Sequence, residues 1–172
     1  MTGSTDASLR EEGRHLLRRV LAEYVDDETQ GTMASADLGK SLAADGHLEE
    51  AAQAFRQSLA GAPNIYWGAD LGLVETILEA DWRPHYDEAA QILGQSQAMT
   101  DPFPGNRFRW QLASARLAHR QGRADEARAA AVAALEALDE KRSPFPRHRS
   151  LGLASSDTQT VRELKRLAQS GR

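Results

Sequence analysis

The residues able to do chemistry are few in this chain, and they are scattered along it. The five histidines stand apart from one another, and none occurs in the His-Glu-x-x-His spacing that lets one helix hold zinc. The chain has no cysteine, so it offers neither a disulfide nor a thiolate metal ligand. It contains no Gly-rich phosphate loop ending in Lys-Ser or Lys-Thr, and no Gly-x-Ser-x-Gly nucleophile elbow. We therefore expect no metal, no cofactor and no catalytic residue, that is, a protein that is not an enzyme.

Two pairs of adjacent carboxylates could in principle serve as general acid and base, namely Glu49-Glu50 and Asp87-Glu88. Each pair stands where a helix is predicted to begin. Acidic side chains in the first turn of a helix interact favourably with its macrodipole. We interpret both pairs as structural.

One basic constellation remains. Arg109, Arg116 and Arg120 are spaced i, i+7 and i+11, which places them on one face of a helix, with His119 beside them. Guanidinium groups bind carboxylates through paired, charge-assisted hydrogen bonds. The row therefore predicts a surface that meets acidic groups of a partner. The same spacing is also consistent with arginines that bind nothing, or with a face that the last helix of the chain covers.

The elements that must position these residues are clearest between Leu38 and Pro63. Leu38-Gly39 is followed by a turn at Asp45-Gly46, then by Ala51 four residues before Phe55, and Pro63 closes the stretch. The glycine and the alanine are small enough to let two antiparallel helices cross closely, and proline ends the second helix. The alternative is a helical hairpin of no particular family.

This pattern resembles the tetratricopeptide repeat (TPR), a unit of about 34 residues with Leu-Gly, Ala-x3-Phe and a final proline. Leu42 stands where that family usually has tyrosine, and Ser35 where it has tryptophan. Ala51, Ala89 and Ala127 follow one another at a constant interval, as stacked hairpins require. The resemblance covers about residues 32–141, and it fades along the chain.

These features predict an all-α fold of about eight helices, a right-handed, TPR-like stack of antiparallel helical hairpins. We expect a single domain, 1–172. Its predicted parts are an N-terminal helix at 8–28, three helix pairs at 32–141, a linker at 142–156 and a C-terminal capping helix at 157–169.

In a stack of this family the first helix of each pair lines a concave groove. The resemblance thus adds Lys40 of the first pair, and Trp67 and Leu71 of the second, to the arginines and His119 as groove candidates. It implies a non-catalytic interaction module that binds a peptide segment or a partner helix. The alternative is a small-molecule sensor or an enzyme with its site in the same groove. The family's carboxylate clamp needs asparagines that these faces lack.

Composition narrows the partner. Net charge is −4, but residues 21–100 carry 3 basic and 14 acidic groups, while the rest of the chain is basic. Such an asymmetry can mark an interaction surface, or it can reflect solvated helix faces that differ in charge. The expected partner is a protein or peptide, the arginine row favours an acidic one, and homo-oligomerisation stays open. A pI near 5.7 argues against a dedicated nucleic-acid binder, despite the basic stretch 141–149.

The same sequence predicts where the protein works. No apolar run approaches the roughly 18 residues that span a bilayer, so no membrane partner is expected. The first residues lack the basic-then-apolar layout of a signal peptide, which predicts a cytoplasmic protein. Arginine far outnumbers lysine, which is typical of a GC-rich bacterial genome.

Overall fold

A computed structural model of the chain describes residues 3–24, 27–61, 68–95, 103–145, 147–148 and 150–170. Those residues form eight α-helices and no strand, which confirms the predicted all-α class and the number of helices. A short 3-10 helix, Arg83–His85, precedes the fifth α-helix. None of the helices described is both long and apolar enough to cross a bilayer. The helices are α1 (Gly3–Glu23), α2 (Glu28–Ala44), α3 (Leu48–Ala60), α4 (Ala69–Glu79), α5 (Tyr86–Gln95), α6 (Pro104–Arg120), α7 (Ala124–Asp139) and α8 (Thr158–Gln169).

Two of the turns form as the sequence predicts, because each has glycine where the backbone needs a positive φ. Gly46 follows α2 with φ 80°, and Gly122 follows α6 with φ 74°. The residue after each glycine donates its N–H back into the helix, His47 to Leu42 O at 3.0 Å and Arg123 to Ala118 O at 2.9 Å. Such bonds satisfy carbonyls at a helix end that would otherwise lack a donor.

Several helix starts differ from prediction. The capping-box spacing of Ser8 and Glu11 predicts that α1 begins near Leu9, yet α1 begins at Gly3. The Glu11 carboxylate accepts a hydrogen bond from Arg14 Nε at 2.9 Å, so its partner is a side chain. Helix α6 begins at Pro104, inside the predicted break, since proline needs no N–H partner in a first turn.

The caps of two other helices also test the prediction. Asp157, not Ser156, caps α8, and its Oδ1 accepts from Thr160 N at 2.8 Å. A backbone N–H bond of this kind favours the charged carboxylate, and it lowers the pKa of Asp157. The predicted cap Asn64 and the closing Pro63 lie outside the described residues.

The chain divides into two compact units, Met1–Arg83 with α1 to α4 and Pro84–Arg172 with α5 to α8. In the first unit α3 packs between α2 and α4. The Phe55 ring of α3 is 1% exposed and touches a glycine on each side. A Cβ added to Gly39 of α2 would lie 2.7 Å from Phe55 Cδ1, and one added to Gly72 of α4 would lie 2.6 Å from Cζ. The dipeptides Leu38-Gly39 and Leu71-Gly72 therefore make room for the same aromatic ring.

Helix α1 packs against α2 through a face other than the apolar one that the sequence predicts. Periodicity predicts an apolar inner face that includes Leu9 and Leu16, but these side chains are 60% and 57% exposed. Arg14 is buried instead, at 6% exposure, and bonds to Asp45 at the end of α2. The prediction was wrong because apolar spacing cannot foresee a buried ion pair.

In the second unit α7 packs between α6 and α8. Small residues dominate this contact, since Ala131 and Ala134 of α7 are fully buried together with Ala115 of α6 and Leu164 of α8. Alanine methyl groups therefore form much of this contact, and the buried side chains of Phe108 on α6 and of Leu164 and Leu167 on α8 complete the core.

The linker before α8 folds back onto the start of α6. The rings of Phe103 and Phe145 pack against each other with centroids 5.5 Å apart. Gly105 N donates to Gly152 O at 2.8 Å, and Gly152 has φ 77°. Each phenylalanine stands in a Pro-Phe-Pro triplet just after a helix, a placement that predicts a ring filling the gap between neighbouring helices, and the two rings also contact each other.

Candidate functional site

The basic row lies on α6, in the second unit. Arg109, Arg116 and Arg120 occupy one face of this helix, as their spacing predicts, and Ala113 completes the row with only 2% exposure. Arg109 and Arg120 are exposed, whereas Arg116 is partly buried. The row therefore consists of two exposed arginine residues with a partly buried arginine and a buried alanine between them.

Arg116 is covered because it forms an ion pair with α8. Its Nη2 lies 2.7 Å from Glu163 Oε2, and its Nε lies 3.1 Å from Glu163 Oε1. This two-pronged geometry is the favourable arrangement of a guanidinium and a carboxylate. Both side chains are about one third exposed. Arg116 thus joins α6 to α8, and we correct the expectation that it lines a surface for a partner.

Arg120 and His119 lie in the last turn of α6. Basic groups there interact favourably with the negative end of the helix macrodipole. Arg120 Nη1 donates to Tyr86 Oη at 3.2 Å, and Tyr86 belongs to α5 and is buried. This bond holds Arg120 at the edge between α5 and α6. His119 is exposed beside it.

The candidates in the first unit are placed differently from one another. Lys40 is exposed on α2, and its Nζ lies 3.0 Å from Asp37 Oδ1. Leu71 is 4% exposed and belongs to the core together with Val74 and Leu78 of α4. We therefore correct the assignment of Leu71 to a groove surface, since it fills the interior of its own unit. Trp67 lies outside the described residues.

A cluster of charges between α1 and α2 was not predicted from the sequence. Arg14 donates to Glu11 and to Asp45, and Arg10 Nε lies 2.8 Å from Asp45 Oδ1. Arg14 donates a hydrogen bond to each of the two carboxylates. In each case that bond is the largest cause of a lowered pKa, both for Asp45 and for Glu11. The two carboxylates in turn raise the pKa of Arg14.

This cluster is a structural one, because its positive and negative groups pair with each other. One sequence signal could have located it. Arg10 and Arg14 are spaced i, i+4, so they share a helix face that could meet Asp45 at the end of the next helix.

Within the described ranges, no group of three or more histidine, aspartate or glutamate side chains is arranged to hold a metal ion. No protein-family model, curated protein or solved structure matches this chain. Function is therefore inferred from the geometry of α6.

Proposed function

We propose that this protein is a non-catalytic, TPR-like helical-repeat module that binds an acidic segment of a protein partner. The packing of the helices supports the repeat assignment. In each unit a middle helix, α3 or α7, packs between two others, as the second helix of a repeat packs between the first helices of its own and the following repeat. The contact of Phe55 with Gly39 and Gly72 links two Leu-Gly dipeptides in the same way.

The observation that carries the proposed binding site is the pair of exposed arginines on one face of α6. Arg109 and Arg120 are separated by three turns of helix, which is about 16 Å along the axis. An extended peptide covers that distance with about five residues. The matching partner is therefore an extended segment with two carboxylates about five residues apart, and His119 borders one end of the site.

An enzyme or small-molecule sensor would need several polar groups that converge in a closed pocket. Arg109 and Arg120 instead are two exposed side chains about 16 Å apart with the covered Ala113 and Arg116 between them, which favours a protein partner that contacts each of them separately.

The proposal is tested with a fluorescent peptide that carries two glutamates separated by four neutral residues. The double variant Arg109→Glu, Arg120→Glu should bind it at least tenfold more weakly than the unchanged protein. A charge-assisted hydrogen bond contributes about 1.5–3 kcal/mol when shielded, and less when exposed. Binding should also weaken as salt rises, because the Debye length falls to about 8 Å at physiological ionic strength.

Arg162→Glu is the matched control, because Arg162 is an exposed arginine of the same unit on α8. It makes a charge change of the same kind away from the α6 face. The proposal fails if the double variant binds as tightly as the unchanged protein. It also fails if a peptide with glutamines in place of the glutamates binds equally well.

A further inference from the structure

Helix α1 presents a row of large apolar side chains to solvent. Leu9, Leu16 and Tyr24 are 60%, 57% and 53% exposed, and the partly buried Val20 lies between the last two on the same face. Single exposed apolar residues are common on protein surfaces and need no explanation. A row of them along one helix face is different, because contiguous apolar patches mark interaction sites. We call these four residues and Gly13, which lies among them, the α1 face.

Gly13 sits in the middle of the α1 face and leaves a recess there. Apart from its chain neighbours and the backbone of α1 itself, no heavy atom of the described residues comes within 4 Å of the position that its Cβ would occupy. Glycine in the interior of a helix lowers helix stability relative to alanine, so its use commonly reflects a close approach of another group. Within the part of the chain that the structure describes, no group makes that approach.

We infer that the α1 face is the interface of a symmetric homodimer, in which α1 packs antiparallel against α1 of a second copy. A two-fold interface must be self-complementary, so each contact occurs twice. If Leu16 of one copy enters the Gly13 recess of the other, the reverse contact forms by symmetry. The same register brings Leu9 opposite Val20. A parallel pair would instead place Gly13 opposite Gly13 and leave the recess unfilled.

The charges that flank the α1 face fit the antiparallel arrangement. Glu12 and Arg19 lie on the same flank of the helix, and both are exposed. Antiparallel helices bring the same flanks of the two copies together, so Glu12 of each copy lies near Arg19 of the other. Arg19 also lies 3.0 Å from Glu23 of its own helix, so the two copies would form a small network of charges.

The length of the α1 face predicts a weak dimer. Leu9 to Val20 is about 16 Å along the helix, which buries less area than the roughly 1,200 Å² of a standard stable interface. We therefore expect a dissociation constant of about 1–100 μM, which sedimentation equilibrium of the full chain between about 1 μM and 1 mM can measure. A chain that stays monomeric throughout that range refutes the dimer.

The first variant, Leu16→Glu, puts a charge into the recess of the other copy and should raise the dissociation constant at least tenfold. Val132→Glu is its matched control, because Val132 is an apolar side chain that is 42% exposed on α7, a helix of the other unit. An equal effect of the two substitutions, or none from Leu16→Glu, overturns the inference.

The second variant, Gly13→Ala, distinguishes an effect on dimerisation from an effect on the stability of the single chain. Alanine favours the helix, so the melting temperature measured far below the dissociation constant should rise. The added methyl group fills the recess, so the dissociation constant should rise as well. A melting temperature that rises with an unchanged dissociation constant overturns the assigned register.

The antiparallel orientation of the two α1 helices is tested by disulfide cross-linking. Because the chain has no cysteine of its own, only the introduced thiols can react. Leu9→Cys and Val20→Cys should form a mixed disulfide dimer when the two variants are combined. Either variant alone should cross-link poorly, because its two thiols would be about 16 Å apart. Efficient cross-linking of each variant with itself would refute the antiparallel pair.

Discussion

Replacing Gly39 with alanine puts a methyl group into space that the Phe55 ring occupies. The new carbon would lie 2.7 Å from two ring atoms, whereas carbon atoms in good contact are about 3.5–4.0 Å apart. The ring cannot simply move aside, because it is buried and Gly72 of α4 touches it from the other side. Helix α2 or α3 must therefore shift, or the ring must leave its preferred rotamer.

The magnitude follows from two opposing effects. Alanine in place of a helical glycine adds about 0.5–1 kcal/mol of stability through the backbone. Overpacking a buried contact costs about 1–3 kcal/mol. We expect Gly39→Ala to lower the free energy of unfolding by about 0.5–2 kcal/mol. Gly31→Ala in the same helix is the control, because a Cβ there meets nothing within 4 Å. It should raise that free energy by about 0.5–1 kcal/mol.

Urea denaturation followed by far-ultraviolet circular dichroism measures both variants. The substitutions at Gly39 and Gly31 should change the free energy of unfolding in opposite directions. Combining Gly39→Ala with Phe55→Leu removes the overlapping ring atoms, so the alanine should then cost much less than it does beside phenylalanine. The reasoning is refuted if Gly39→Ala stabilises the protein as much as Gly31→Ala does.

Two further predictions concern the ion pairs. Since Arg14 holds the pKa of Asp45 and of Glu11 below their unfolded values, the stability these carboxylates contribute is complete above about pH 5 and is lost as pH falls through the folded pKa values. Urea denaturation between pH 6 and pH 2 should therefore show a shallower acid loss for Arg14→Met, and an unchanged slope would contradict the assignment. Arg116→Gln and Glu163→Gln should show a coupling of about 0.2–1 kcal/mol in a double-mutant cycle, as partly exposed pairs do, and strictly additive effects would show that the pair is not formed.

Local chemistry explains which parts of the fold could be predicted. Helix α3 was expected at 48–61 and runs from Leu48 to Ala60, because the Asp45-Gly46 turn specifies where the chain reverses. The start of α1 was misplaced, since the capping-box spacing of Ser8 and Glu11 says nothing about a competing side chain such as Arg14. Patterns of neighbouring residues thus locate turns well and locate helix starts less well.

The candidate site depends more on distant parts of the chain, so less of it could be predicted. The spacing of Arg109, Arg116 and Arg120 correctly places them on one face of α6. That Arg116 is bonded to Glu163 depends on how α8 packs, and no local pattern connects residues 47 positions apart. Leu71 was assigned to the groove because it belongs to an apolar stripe on its helix. Such a stripe has the same residue pattern whether it faces a partner or the core.

The linker between α7 and α8 has a consequence for how securely α8 is held. Measured along the chain, the tether from α7 to α8 runs from 140 to 157. The hydrogen bond from Gly105 to Gly152, together with the contact of the Phe103 and Phe145 rings, fastens the middle of that tether to the start of α6. Only residues 153–157 then connect α8 to this attachment point. A shorter connection raises the effective concentration of a tethered segment at its docking surface. A momentarily released α8 would return faster than any free helix could take its place.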